Sequence, residues 1–305
     1  MLNKNKFLIY LTGILLLTVG LIVFCNYFID IYGLFRGKKE RVVTINERTS
    51  KYLFSFRYIP ENFEGFIIGP SLSANLNPEN IKSHKVYNAS MMGANISELD
   101  YLVDNILAKG KMKFVVVCLD PYLTKDFGRK SANIDPKEYW GALGCTNLLK
   151  TYFLYFVRKY NLLPHKYSST IYNSSGWNNF ELEMKNLDAE KAIKKMIAIK
   201  APESTYIHPE AYVQLQKTLE KLRSHDVKVV AYFSPVPYEL YKMGEKDYKI
   251  FEAKISALFD SRDILINLNE EVYKYATSDY SMYIDHGHLS AKGQNFVLTE
   301  LQESL

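Results

Sequence analysis

The chain has 305 residues, 48% of them hydrophobic, enough to bury one large core. Its 38 basic and 33 acidic residues leave a formal charge of +5, spread along the chain without the dense Lys/Arg stripe that neutralises phosphates, so no nucleic acid is expected as a partner. The three cysteines give neither a disulfide framework nor zinc-ligand spacing: Cys25 lies in an apolar run, Cys118 in an expected core strand, and Cys145 stands alone.

From Phe7 to Ile29 there is no charged residue. That is about 23 positions against the roughly 20 that cross a ~30 Å hydrocarbon core as a helix. A removable signal peptide has an apolar region of only about 7–15 residues ending at small residues, whereas this run continues into Cys25-Asn26-Tyr27-Phe28. Residues 1–35 are therefore predicted to be an uncleaved transmembrane anchor. Lys4 and Lys6 precede it and Arg36, Lys38, Lys39 and Arg41 follow it, so charge does not fix its orientation. A lone anchor before a large, cysteine-poor domain fits a single-pass cell-membrane protein with its domain outside the cytoplasm. Residues 36–60 read as a polar linker and 61–305 as the folded domain.

Short apolar runs at Gly65–Gly69, Lys85–Ser90, Phe114–Leu119, Val227–Phe233 and Ile264–Leu268 have the length of buried strands. The stretches between them carry helical spacing, as in Glu98, Leu99, Leu102, Val103, Ile106 and Leu107. Alternating strands and helices predict an α/β fold of three layers, a five-stranded parallel sheet covered on both faces. Residues 125–205, rich in Tyr, Asn and Lys, are too long for a loop and predict a helical insertion over the carboxyl edge of the sheet. Within it Tyr152–Phe156 reads as core packing of the insertion, with a membrane-facing surface or partner-docking patch as the alternative.

In open α/β sheets, ligands bind beyond the carboxyl ends of the strands. Polar residues gather there: Ser71 and Asn75 after the first run, Ser90, Gly93 and Asn95 after the second, Asp120 after the third. Near the C-terminus, Asp285 and His288 share one loop, close enough for the carboxylate to orient the imidazole. Ser71 is the best-placed nucleophile, because Gly69 and Pro70 force a sharp exit from the strand and the following amides can face a developing oxyanion. Gly93 can bring a second amide there unobstructed by a side chain. Read alone, Ser71 is equally a helix N-cap, Asp120 a structural strand-end carboxylate, and Asn75, Ser90 and Asn95 turn caps. His286 reads as an exposed neighbour.

At these residues a resemblance emerges. Gly69-Pro70-Ser71-Leu72-Ser73 resembles the first block of the SGNH/GDSL hydrolases, Gly93 fits their second, and Asp285-x-x-His288 matches their last, over residues 64 to the end. The resemblance implies a flavodoxin-like sheet, with Ser71 as nucleophile, His288 as general base, Asp285 as its orienter, and the amides of Ser71 and Gly93 as oxyanion donors. The family's third block, usually Gly-x-Asn-Asp, is not matched, because Cys118-Leu119-Asp120-Pro121-Tyr122 stands there; Asn75 and Asp120, at the strand ends, are the further oxyanion or substrate-binding candidates.

The anchor, the Tyr-rich insertion and the altered third block look most like an envelope branch of that family, which includes alginate O-acetyltransferase-like proteins and a protein that helps place D-alanine on teichoic acids. This resemblance implies an acyltransferase acting on an envelope polysaccharide or teichoic acid through an acyl-serine, partnered by a multispanning membrane O-acyltransferase. An esterase or deacetylase with the same triad and a non-catalytic scaffold are the alternatives. No cofactor and no metal are expected.

Overall fold

The computed structural model describes residues 4–127, 134–164, 171–200 and 204–305. Five parallel strands form one sheet: β1 (Gly65–Ile68), β2 (Val86–Asn88), β3 (Phe114–Leu119), β4 (Lys228–Phe233) and β5 (Ile264–Asn267), in the order β2-β1-β3-β4-β5. The register runs Gly65 to Phe114 and Phe114 to Lys228, all pairs parallel. This is the doubly wound order with its switch point between β1 and β3.

Strand side chains alternate faces with period two, and here both faces are apolar. In β3, Val115, Val117 and Leu119 join one core cluster with helices Ile96–Lys109, Pro209–Ser224 and Glu245–Ser256. Phe114, Val116 and Cys118 join a second cluster with helix Ala291–Gln302. Helix Ile96–Lys109 starts in a capping box, with Asn95 accepting from the Glu98 amide and Glu98 reaching back to the Asn95 amide.

Residues 36–60, expected to be a linker, are part of the domain. Helix Glu47–Phe54 buries Tyr52, Leu53 and Phe54, and helix Tyr58–Asn62 buries Tyr58 and Ile59, all within the first core cluster. The charged residues among them concealed this, because Lys51 is itself wholly buried. The expected insertion leaves and returns at one point, where the His208 amide donates to the Thr124 carbonyl at 2.8 Å. The N-terminal helix Lys4–Phe28 is long and apolar enough to cross a membrane.

Candidate active site

The carboxyl edge of the sheet converges on Ser71. Gly69 is required there because a β-carbon would collide with Ser73 Oγ and come within 2.6 Å of Cys118 Cβ. Without that bulk, the chain turns sharply through Pro70 into the short helix Ser71–Ala74, placing Ser71 at its first position. The loop before helix Ala291–Gln302 brings in Asp285 and His288, shaped by a bridge between Tyr283 and Leu289.

Ser71 Oγ lies 3.0 Å from His288 Nε2, and His288 Nδ1 lies 2.8 Å from Asp285 Oδ2. The other carboxylate oxygen of Asp285 accepts the amides of Gly287 at 2.8 Å and His288 at 2.7 Å. Burial works to raise the Asp285 carboxyl. The hydrogen bond from His288, its charge and the two amides outweigh that and hold the group at about 2. The carboxylate is thus an ionised, fixed acceptor on the far nitrogen of an imidazole whose near nitrogen faces a serine hydroxyl. Phe180, fully buried, sets its ring edge-on to the His288 ring at 5.3 Å between centroids.

Beyond β2 the Ala89 amide donates to the Ile67 carbonyl and the Met91 amide to the Gly69 carbonyl, so the segment that leads to Gly93 runs beside the strand that leads to Ser71. There the chain turns, with Ala94 donating to Met91 and Gly93 at φ +61°, the left-handed conformation that favours glycine. Gly93 is exposed. Among the described residues, no hydrogen bond occupies the amide of Ser71 or that of Gly93.

Ser71 and His288 open onto a cavity of about 180 Å³, whose lining does not include Gly93. Ser71, His286, His288, Asp120 and Tyr122 line it, and Leu72, Met196, Val236 and Leu240 supply apolar wall. Asp120 therefore lines the cavity, and it also caps the helix Pro121–Thr124 by accepting the Tyr122 amide at 2.8 Å. His286 is half-buried in the cavity wall, not the exposed neighbour expected of it. Cys118, beneath Gly69, is not a competing nucleophile: burial pushes its thiol up to about 12. Among the described residues no cluster of three or more His, Cys, Asp or Glu could hold a metal ion.

Asn75 is a correction. It is wholly buried, donating its side-chain amide to the Leu289 carbonyl at 2.6 Å, while its own carbonyl accepts Trp177 Nε1 at 2.8 Å. It ties the serine segment to the histidine loop and does not line the cavity. Ser90 and Asn95 are likewise buried, Ser90 bonded to Ser73 Oγ at 2.8 Å and Asn95 capping its helix. Phe180 escaped sequence reading because nothing in the order of residues places an insertion segment behind a histidine far downstream. The only signal was the presence of an apolar residue in a polar stretch.

No protein-family model matches the chain, and no curated protein matches it. Among solved structures, the chain is similar to a Streptococcus pneumonia protein provisionally described as a platelet activating factor, with 11% identity, 85% of this chain and 90% of that chain covered, and a TM-score of 0.45. It is similar to a GDSL-like lipase from Bacteroides thetaiotaomicron, with 8% identity, 79% and 88% covered, and a TM-score of 0.40. A third is an acylhydrolase, also provisionally described, from Bacteroides fragilis, with 9% identity, 79% and 86% covered, and a TM-score of 0.37.

Proposed function

We propose that the protein is a membrane-anchored serine acyltransferase of the SGNH type, which modifies a hydroxyl of a cell-envelope polysaccharide or teichoic acid through an acyl-Ser71 intermediate. The observation that carries this reading is the unbroken chain Ser71, His288, Asp285, at 3.0 and 2.8 Å, at the mouth of a cavity.

In this mechanism His288 Nε2 takes the hydroxyl proton as Ser71 Oγ attacks the carbonyl of a donor ester. Asp285 stabilises the imidazolium that forms. The amides of Ser71 and Gly93 receive the oxyanion, a role worth about 10²–10³ in kcat per donor. Collapse expels the donor alcohol, which takes the proton from His288, and leaves the acyl group on Ser71. An acceptor hydroxyl then gives its proton to His288 and attacks the acyl-serine; the new ester departs and Ser71 recovers its proton. The anchor Lys4–Phe28 holds this site near the membrane, where a multispanning O-acyltransferase would load the serine.

The test is p-nitrophenyl acetate turnover by the full-length protein, with and without an oligosaccharide acceptor, compared with Ser71→Ala. Acetylated oligosaccharide from wild type alone supports the transferase. Free acetate at an unchanged rate in the presence of acceptor makes water the acceptor and the protein an esterase. Equal inertness of both proteins, with the membrane partner supplied, leaves the scaffold.

A further inference from the structure

Part of the insertion contributes nothing to the lining of the cavity beside Ser71. Helices Glu138–Leu143 and Thr146–Lys159 form a hairpin that packs on the last turns of Lys4–Phe28. Asn26 Nδ2 donates to the Leu143 carbonyl at 3.0 Å, the Tyr152 hydroxyl donates to Asn26 Oδ1 at 2.7 Å, and Cys25 is buried with Leu148 and Tyr152. A β-carbon on Gly144 would sit 3.6 Å from Ile22 Cγ2. Ile22 lies about 10 Å below the end of the apolar helix at 1.5 Å per residue, so the hairpin tip reaches the depth at which the helix enters lipid. These buried bonds also join the N-terminal helix to the folded domain.

The helix Thr146–Lys159 is apolar on two faces. Leu148 and Tyr152 turn to the anchor, whereas Phe153, Phe156 and Tyr160, spaced three and four apart, are 62%, 36% and 60% exposed. Trp140 before the helix and Leu162 and Leu163 after it are 70%, 62% and 48% exposed. A helix with apolar residues on its free face needs a second apolar partner. Cations border the patch: Lys150 and Lys159 are exposed, and so are Arg36 and Lys39 close to Lys159. Trp and Tyr with flanking Lys and Arg are the composition of an interfacial element over anionic headgroups.

We propose that residues 138–163 are a second membrane contact, a hairpin lying in the headgroup region beside the anchor and fixing the tilt of the domain on the bilayer. The partner is lipid. The inference rests on the anchoring part of the proposed function and is independent of its chemistry.

The chain has two tryptophans, and Trp177 is held inside the domain by its bond to the Asn75 carbonyl, so Trp140 reports on the hairpin. The full-length protein is reconstituted into phosphatidylcholine and phosphatidylglycerol vesicles, with and without brominated phosphatidylcholine. The expected result is flotation with the vesicles and tryptophan emission that brominated lipid quenches in wild type but not in Trp140→Phe, an exposed substitution that leaves the fold intact. Flotation without quenching, or quenching that persists in Trp140→Phe, overturns the hairpin contact while leaving the anchor standing. Failure to float overturns the anchor and the hairpin contact together.

Discussion

Glu47 Oε2 accepts the backbone amide of Met92 at 2.9 Å, binding the segment that follows the N-terminal helix to the turn that carries Gly93. Two neighbours reinforce it: Arg48 Nη2 donates to the Met92 carbonyl at 2.6 Å, and Lys51 Nζ to the Ser90 carbonyl at 2.5 Å. Lys51 is fully buried and pairs with Glu47 at 3.1 Å. Removing Glu47 alone leaves a buried ammonium uncompensated, at a cost of about 3 kcal/mol. Glu47→Ala should therefore lower both the denaturant midpoint and kcat. Glu47→Ala with Lys51→Met should recover much of the stability while kcat stays about tenfold low, because the Met92 amide still lacks its acceptor. Recovery of kcat together with stability would reduce the clamp to a purely structural role.

Gly93→Ala separates conformation from bulk. The nearest atom to an added β-carbon is Arg48 Nη2 at 3.7 Å, so there is room, but φ is +61°. An L-residue pays about 1–2 kcal/mol there. The turn should relax and its amide swing away, lowering kcat by about tenfold or more with little change in KM. A variant with unchanged kcat would remove Gly93 from the oxyanion site.

Phe180 tests what the insertion contributes to the chemistry. Truncation to Ala should destabilise by about 3 kcal/mol through the cavity it leaves and lower kcat by freeing the His288 ring. Phe180→Leu, which refills most of the volume, should restore stability further than it restores kcat. Denaturant titration beside steady-state kinetics reads both.

Asp285 gives a pH signature. Its folded value of about 2 lies below the ordinary carboxyl value of about 3.9. The ionised form is favoured by folding, so its contribution is fully present above about pH 4 and is lost as pH falls through about 2. The stability gap between wild type and Asp285→Asn should narrow as pH falls from about 4 to about 2; a gap that stays unchanged over that interval contradicts the depressed carboxyl. At neutral pH the same variant should keep its fold and lose about 10³–10⁴ in kcat, because an amide no longer fixes the imidazole tautomer.

The strands were legible because each is a short apolar run that stops at polar or turn residues, and Val115 to Leu119 is apolar on both faces, as a central parallel strand must be. Ser71, Asp285 and His288 were legible because each sits just beyond such a run or in a compact loop. Burial of charge was not. Lys51 and Glu47 look like solvent residues in sequence, and only their mutual pairing and the backbone groups of residues 90–92 make their burial affordable. Asn75 misled for a related reason: a short polar residue beside a nucleophile lines a cleft or ties two segments together depending on partners distant in the chain, here Leu289 and Trp177.

The central claim is that Ser71 is a nucleophile activated by His288. The most direct measurement is labelling of the full-length protein with a fluorophosphonate, followed by intact-mass and peptide mass spectrometry. The expected result is one adduct, on Ser71, formed by wild type and lost in Ser71→Ala and His288→Ala. An unlabelled wild type, an adduct on another residue, or labelling that survives His288→Ala would contradict it.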